Sequence, residues 1–220
     1  MAYTPHWSAV WQARDALLEG AQITLEITVV SMAAGTAIGV FLALARRSDN
    51  RVLSSAATAW IEVARNTPCL FQIYMAYFGL GSFGIHLSSY AAVLAALIFN
   101  NAGYMAEIIR GGLLSIPKGQ SESAAALGMT YFQLMRRIVL PQVVRVIIPP
   151  ITNDAATTLK NTSLLSTITI MELMLQTQVI VSSTFRPFEF YILVSLIYLV
   201  MTTVLMVLLR WAERHYQVAY

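Results

Sequence analysis

Three windows of this chain, residues 27–45, 87–106 and 190–209, run without a single charged side chain. Each is about 20 residues long, enough for a helix to cross a hydrocarbon core of roughly 30 Å. A backbone placed in lipid must satisfy its own hydrogen bonds, which restricts such segments to helices or closed barrels. Composition agrees, because 57% of the 220 residues are hydrophobic and only 11% charged, against roughly a quarter charged in soluble domains. The expected fold class is all-α, a polytopic membrane helix bundle. The single cysteine, Cys69, excludes a disulfide framework and a cysteine-based metal cluster. Residues 1–20 mix Arg14, Asp15 and Glu19 with aromatics, so no cleavable signal peptide is expected.

Two further segments are apolar but interrupted. Residues 54–80 contain Glu62, Arg65 and Pro68, and residues 143–170 contain Arg145, Pro149, Pro150, Asp154 and Lys160. Polar groups inside spans usually face a bundle interior or a water-filled cavity. The reading is five spans, at about 22–45, 54–80, 88–113, 143–170 and 190–210, in one domain over 19–212. Residues 1–18, with Trp7 and Trp11, form a surface-lying lead-in that Gly20 separates from the first span. Residues 213–220 form a tail. Basic residues set the orientation. With the 116–141 loop inside, that side receives Arg46, Arg47, Arg51, Arg110, Lys118, Arg136, Arg137, Arg145, Arg210 and Arg214, and the outer side only Arg14 and Arg186. The N-terminus is thus expected outside and the C-terminus in the cytoplasm.

Inside the first span Gly35 and Gly39 make a G-x-x-x-G step, either a dimer seam or simply a face rich in small residues. Glu26 is expected to be hydrated near the outer end. In the second, Glu62 and Arg65 stand three apart, which favours a structural pair over a direct substrate role. Pro68 deprives the Ala64 carbonyl of its usual partner and bends the helix. Asn100, Gly103 or Tyr104, and Glu107 share a face of the third span, where Glu107 and Arg110 form a second expected ion pair. In the fourth, Pro149-Pro150 is expected to disrupt the helix. Beyond it Asn153, Thr157 and Lys160 or Asn161 recur at helical spacing as a polar stripe. These groups either line a solute pathway or glue helices together, with Lys160 then neutralised by Glu62, Glu107 or Asp154. Residues 172–189 read as a short outer-face helix ending at Arg186-Pro187.

The segment 116–141 is the longest strongly polar interval. Small residues on good helix formers fill 122–127, Gly128 interrupts, and 131–139 resumes with an apolar face interleaved with Arg136 and Arg137. That is a helix, an elbow and a second helix. This stretch resembles the cytoplasmic loop of importer permeases of the ATP-binding cassette class, whose signature reads E-A-A-x-x-x-G, nine residues, then I-x-L-P. Glu122, Ala124, Gly128, Ile138, Leu140 and Pro141 fall at the matching positions, and Ser123 stands where the first Ala would be. Three further runs resemble the polar amino-acid branch: Arg65 to Pro68 followed by an aromatic run, Tyr104-x-Ala106-Glu107-x-x-Arg110-Gly111, and the LKNTSL run from Leu159.

The resemblance covers about residues 18–212 and implies a type I importer transmembrane domain. It implies that Glu122, Ser123, Ala124, Ala125, Gly128 and Arg136 couple to an ATPase subunit. Its implied partners are a second permease, identical or homologous, two ATP-binding cassette subunits, an external solute-binding protein and lipid, in a bacterial inner membrane. ATP and Mg would sit on the partner subunits, with no cofactor on this chain. Asn100, Tyr104, Asn153, Asp154, Thr157, Lys160 and Asn161 are the candidate pathway residues for an amino-acid zwitterion. Asp154 would receive the ammonium, and amides or the Lys160 cation the carboxylate. The residues themselves exclude nucleotide hydrolysis by a phosphate loop, since no G-x-x-x-x-G-K-[ST] occurs. The scattered His6, His86 and His215 do not make a metal site. No nucleic-acid partner is expected, and no enzyme activity. A stand-alone channel or secondary carrier for a small polar solute is the alternative.

Overall fold

The computed structural model describes residues 7–217. His6 and residues 218–220 lie outside them, as do the side chains of Arg214 and His215, so part of the expected lead-in and tail is not described. The chain begins with a short turn of helix, α1 (Ser8–Gln12), then α2 (Arg14–Arg46). A tight turn leads to α3 (Arg51–Asn66), whose first amides are met by the Asn50 side chain at 3.0 and 3.3 Å. After Thr67-Pro68 come α4 (Cys69–Tyr74), a π turn (Met75–Gly79) and α5 (Leu80–Ser82). Ser88 caps α6 (Ser89–Leu114). The polar segment forms α7 (Lys118–Ala126), α8 (Tyr131–Leu134) and a second π turn (Met135–Val139). That turn feeds α9 (Leu140–Asn161), which tightens into a 3-10 stretch (Thr162–Ile168). Last come α10 (Leu173–Thr184) and α11 (Pro187–Gln217). No strand occurs among the described residues.

Three helices are long and apolar enough to cross a membrane: α2, α6 and α11 up to Trp211. A fourth span results if 131–168 and 173–184, bent by 49° at their junction, count as one. The expected span 54–80 does not form one helix, because Thr67-Pro68 divides α3 from α4. Within α6 the most apolar window is 56% buried, against 6% in α11. So α6 is the axis of the bundle and α11 its outer wall, left for lipid or a second subunit.

Packing around α6 explains the small residues of α2. A Cβ on Gly35 would stand 2.6 Å from the Cβ of Asn101, and one on Gly39 2.6 Å from that of Met105. The G-x-x-x-G step is therefore the crossing of α2 with α6 inside one chain, not a dimer seam. Leu42, Ile61, Ala102 and Ala106 fill the core at one end of this crossing, and Ile27, Ile73, Leu97 and Leu165 the other. A third cluster of Leu17, Leu173, Phe190 and Val194 ties α2, α10 and α11 together.

Three expectations are corrected. Gly20 does not separate a lead-in from the first span: α2 runs unbroken from Arg14, and Gly20 is buried within it against Leu173. Pro149 and Pro150 do not disrupt α9, which stays helical through both. Two adjacent prolines remove only two backbone donors, and both residues are exposed, with Pro150 lining a cavity. Glu26 is not simply hydrated, since the Tyr90 hydroxyl of α6 donates to its Oε1 at 2.6 Å.

Candidate functional site

A cavity of about 430 Å³ opens between the α3–α4 break, α6 and α9. Six of the seven residues expected along a solute pathway line it: Asn100, Tyr104, Asn153, Asp154, Thr157 and Asn161. Helical spacing of 153, 157 and 161 puts one face of α9 toward it, and Thr67, Cys69 and Thr158 add to the wall. Cys69 is thus half-buried, lining the cavity and packed against the core of Ile27, Ile73 and Leu97. The Asp154 Oδ2 is buried without a hydrogen-bond partner among the described residues. An unpaired buried acceptor is costly, so this carboxylate is a place where a donor from outside the chain would be welcome. Lys160 is not in this cavity. It lines a different one, of about 280 Å³, with Tyr191, Ser195 and Tyr198. Among the described residues no ion pair joins it to Glu62, Glu107 or Asp154, contrary to expectation.

The wall nearest Pro68 is held by amides. The Ala64 carbonyl, freed by the proline, accepts from Gln72 Nε2 at 2.9 Å and from Asn100 Nδ2 at 3.1 Å. Gln72 Nε2 also donates to Thr67 Oγ1 at 2.9 Å, and Asn100 Nδ2 to Gln72 Oε1 at 3.0 Å. Both side chains are buried. Asn100 therefore borders the cavity while its amide nitrogen serves the backbone. On α9, Thr158 donates to Asn101 Oδ1 at 2.8 Å and fixes the opposite wall to α6.

Beyond Tyr104 the cavity meets a cluster of charges. Glu107 is its centre: Arg46 of α2 donates at 3.0 Å, Arg65 of α3 lies 3.8 Å away, and Arg110 grips both carboxylate oxygens from the same helix. The expected Glu107–Arg110 pair is present. The expected Glu62–Arg65 pair is not, because Arg46 reaches between helices to within 3.7 Å of Glu62 while Arg65 turns to Glu107. Arg65 also sits over the Tyr104 ring, 5.9 Å from its centre. This arrangement pins α2, α3 and α6 together at one end of the cavity.

The elbow is built from backbone logic. Gly128 has φ of 70°, where a side chain is strained. Its N–H donates to Ala125 O at 3.0 Å, and that of Met129 to Ala124 O at 3.0 Å, the paired closing bonds of a Schellman end. Two residues later Thr130 opens α8 with reciprocal bonds to Gln133. The bonds that close α7 and open α8 are thereby made within the elbow, and most of its side chains are left over. Ala124 is buried, but Glu122, Ser123, Ala125 and Arg136 are exposed, and Leu127, Tyr131 and Phe132 are 80%, 73% and 69% exposed. An apolar patch this open marks a contact surface.

Residues 35–218 match the family of binding-protein-dependent transport system inner membrane components. The chain belongs to that family. It is 36% identical over 214 residues to the glutamine transport system permease protein GlnP of Escherichia coli, covering 96% of this chain and 98% of the relative. It is 40% identical over 215 residues to the octopine transport system permease protein OccM of Rhizobium meliloti, covering 92% and 88%. Its fold superposes on the crystal structure of an amino acid ABC transporter with histidines at a TM-score of 0.91 and 35% identity, over 97% of this chain and 100% of that one. Methionine transporter MetNI in an inward-facing form shares the fold at 0.74 and 20% identity, over 91% and 96%. The type I importer fold expected from the loop is the fold found.

Sequence reasoning about this permease missed Gln72, Arg46 and Glu172. Gln72 had a signal, an amide one turn beyond a mid-span proline. Arg46 had none, since it reads as an ordinary charge closing a span. Glu172 is fully buried and caps α10 with both oxygens, accepting from Met174 N and Leu175 N at 2.8 and 2.9 Å and from the Tyr198 hydroxyl at 3.0 Å. The distant Tyr198 joins the two cap bonds in making such a burial tolerable, and nothing local announces that third partner.

Proposed function

We propose that this permease carries a polar amino acid, works as a dimer with an identical or homologous second permease, and draws its energy from two ATP-binding cassette subunits. The elbow at 116–141 is the docking part, with Glu122, Ser123, Ala124, Ala125, Gly128 and Arg136 in or beside the contact. ATP and Mg belong to the docked subunits, and this chain holds no cofactor. A solute-binding protein delivers cargo from outside, the N-terminus lies on that side, and the C-terminus is cytoplasmic. The observation that carries the reading is the elbow itself. It is closed by its own backbone bonds at Gly128 and Met129 and by the Thr130–Gln133 cap, and leaves Leu127, Tyr131 and Phe132 exposed on the bend. Such a part transmits a push without deforming, and the bundle above it rocks between two arrangements.

The cavity supports the cargo class. Asp154 offers a negative charge without a partner, and Asn153, Thr157 and Asn161 offer amides and hydroxyl beside it. A zwitterion presents an ammonium to the first and a carboxylate to the others. The relatives named for glutamine and octopine transport point to the same class.

Gly128→Asp tests the docking. Nothing in the chain lies within 4 Å of a Cβ there, so the fold loses only the cost of a left-handed residue, about 1–2 kcal/mol. Membrane abundance should stay near normal while co-purification of the ATPase subunit and uptake both collapse. Normal uptake at normal abundance would overturn the proposal.

A further inference from the structure

A second polar cavity, of about 350 Å³, lies where the elbow joins the bundle, lined by Gln120, Arg137, Ile138, Pro141, Gln142 and Arg145. Its basic character comes from Arg137 in the π turn and Arg145 on α9. Eight residues on a regular α-helix would leave Arg137 and Arg145 about 80° apart. That is within one helix face, and both line the same wall. Arg137 is exposed and has no ion pair among the described residues. Two guanidiniums, the Gln120 carboxamide and the second N–H of Gln142, whose Nε2 also donates to Ile138 O at 2.8 Å, form a set of donors suited to the oxygens of a phosphate. Directly beside them on α9, Leu140 and Val144, one helical turn apart, are 45% and 41% exposed. Polar donors above an uncovered apolar face are what a molecule with an anionic head and a hydrocarbon tail requires.

We infer that this cavity binds the phosphate of an anionic lipid of the inner leaflet, with the acyl chains lying along Leu140 and Val144 of α9. The site sits between the elbow and the bundle, so an occupied cavity would stiffen the joint through which a push on α7 reaches α9. The choice of a lipid over a free anion rests on the 116–141 segment being the loop at the inner membrane face. Basic pockets at that level commonly take lipid head groups.

The test uses the assembled permease–ATPase complex, released from nanodiscs of phosphatidylcholine with or without phosphatidylglycerol and weighed intact by native mass spectrometry. Wild type should retain phosphatidylglycerol in preference to phosphatidylcholine. Arg137→Gln/Arg145→Gln should lower that retention about tenfold, and the paired Lys variant should keep much of it. If the Gln pair fails to fold, Arg137→Gln alone should still lower retention severalfold, and an unchanged value would overturn the site. An equal loss with Arg47→Gln, an exposed arginine of the α2–α3 turn, would mean diffuse attraction and no site. Arginine-dependent binding of inorganic phosphate without retained phosphatidylglycerol would replace the lipid by a free anion.

Discussion

Gln72 and Asn100 allow a span to be interrupted at Pro68 without leaving a bare carbonyl in the membrane. Replacing both by Leu would strand Ala64 O, at about 1–3 kcal/mol for a buried unsatisfied acceptor. The thermal unfolding midpoint of the purified permease should fall clearly, and less for either single change, since each donor backs up the other. Equal midpoints for the double variant and wild type would show that the carbonyl is satisfied elsewhere. The charge cluster gives a second comparison. Glu107 faces three arginines with its side chain 20% exposed, while Glu62 is 50% exposed and its nearest guanidinium is 3.7 Å away. An exposed pair contributes about 0–1 kcal/mol. Glu107→Gln should therefore destabilise by about 1–3 kcal/mol, because it leaves three cations facing one another, and Glu62→Gln by under about 1 kcal/mol. A reversed ranking would remove Glu107 from the centre of the network.

At the scale of helices, the crossing of α2 with α6 is the least forgiving contact. A methyl on Gly39 would meet Met105 Cβ at 2.6 Å and Ala102 O at 3.0 Å. The second of these is backbone and cannot step aside. Gly39→Ala should cost about 1–3 kcal/mol and Gly39→Leu should abolish a monodisperse product, both read from yield and size-exclusion profile. A monodisperse Gly39→Leu permease would show that the two helices are free to part. This element was only half legible in the sequence. Spacing announces that the glycines face something, but period 3.6 is silent on whether the partner is in the same chain. The uncharged runs fixed α2, α6 and α11 well, because hydropathy and length suffice there. Prolines were the weaker guide: Pro68 ends a helix and Pro149-Pro150 does not. What separates them is the backbone around them, extended at Thr67 and Pro68 (ψ 147° and 137°) but helical through Pro149 and Pro150, a property of the fold. The Thr130 cap was not singled out, and the second helix does not stop at 139 but runs through a π turn into α9. The bend at Gly128 was legible, since it acts through local backbone chemistry. The charge pairs were not, since their partners lie on other helices.

At the scale of the whole molecule, two parts with different physics are separated by the length of α9. One is a cavity with an uncompensated carboxylate, Asp154, and the other a capped bend with a free apolar surface. Asp154→Asn should lower uptake of the cognate amino acid by an order of magnitude or more while leaving ATPase co-purification intact, because it touches only the first part. Loss of both together would tie the carboxylate to folding instead. The central claim is that the second part is useless alone. The decisive measurement is amino-acid uptake into proteoliposomes holding the permease with its solute-binding protein, with and without the ATPase subunits and ATP. Accumulation only when both are present is the expected result. Sustained uptake by the permease without them would contradict it and make the chain a channel or carrier in its own right.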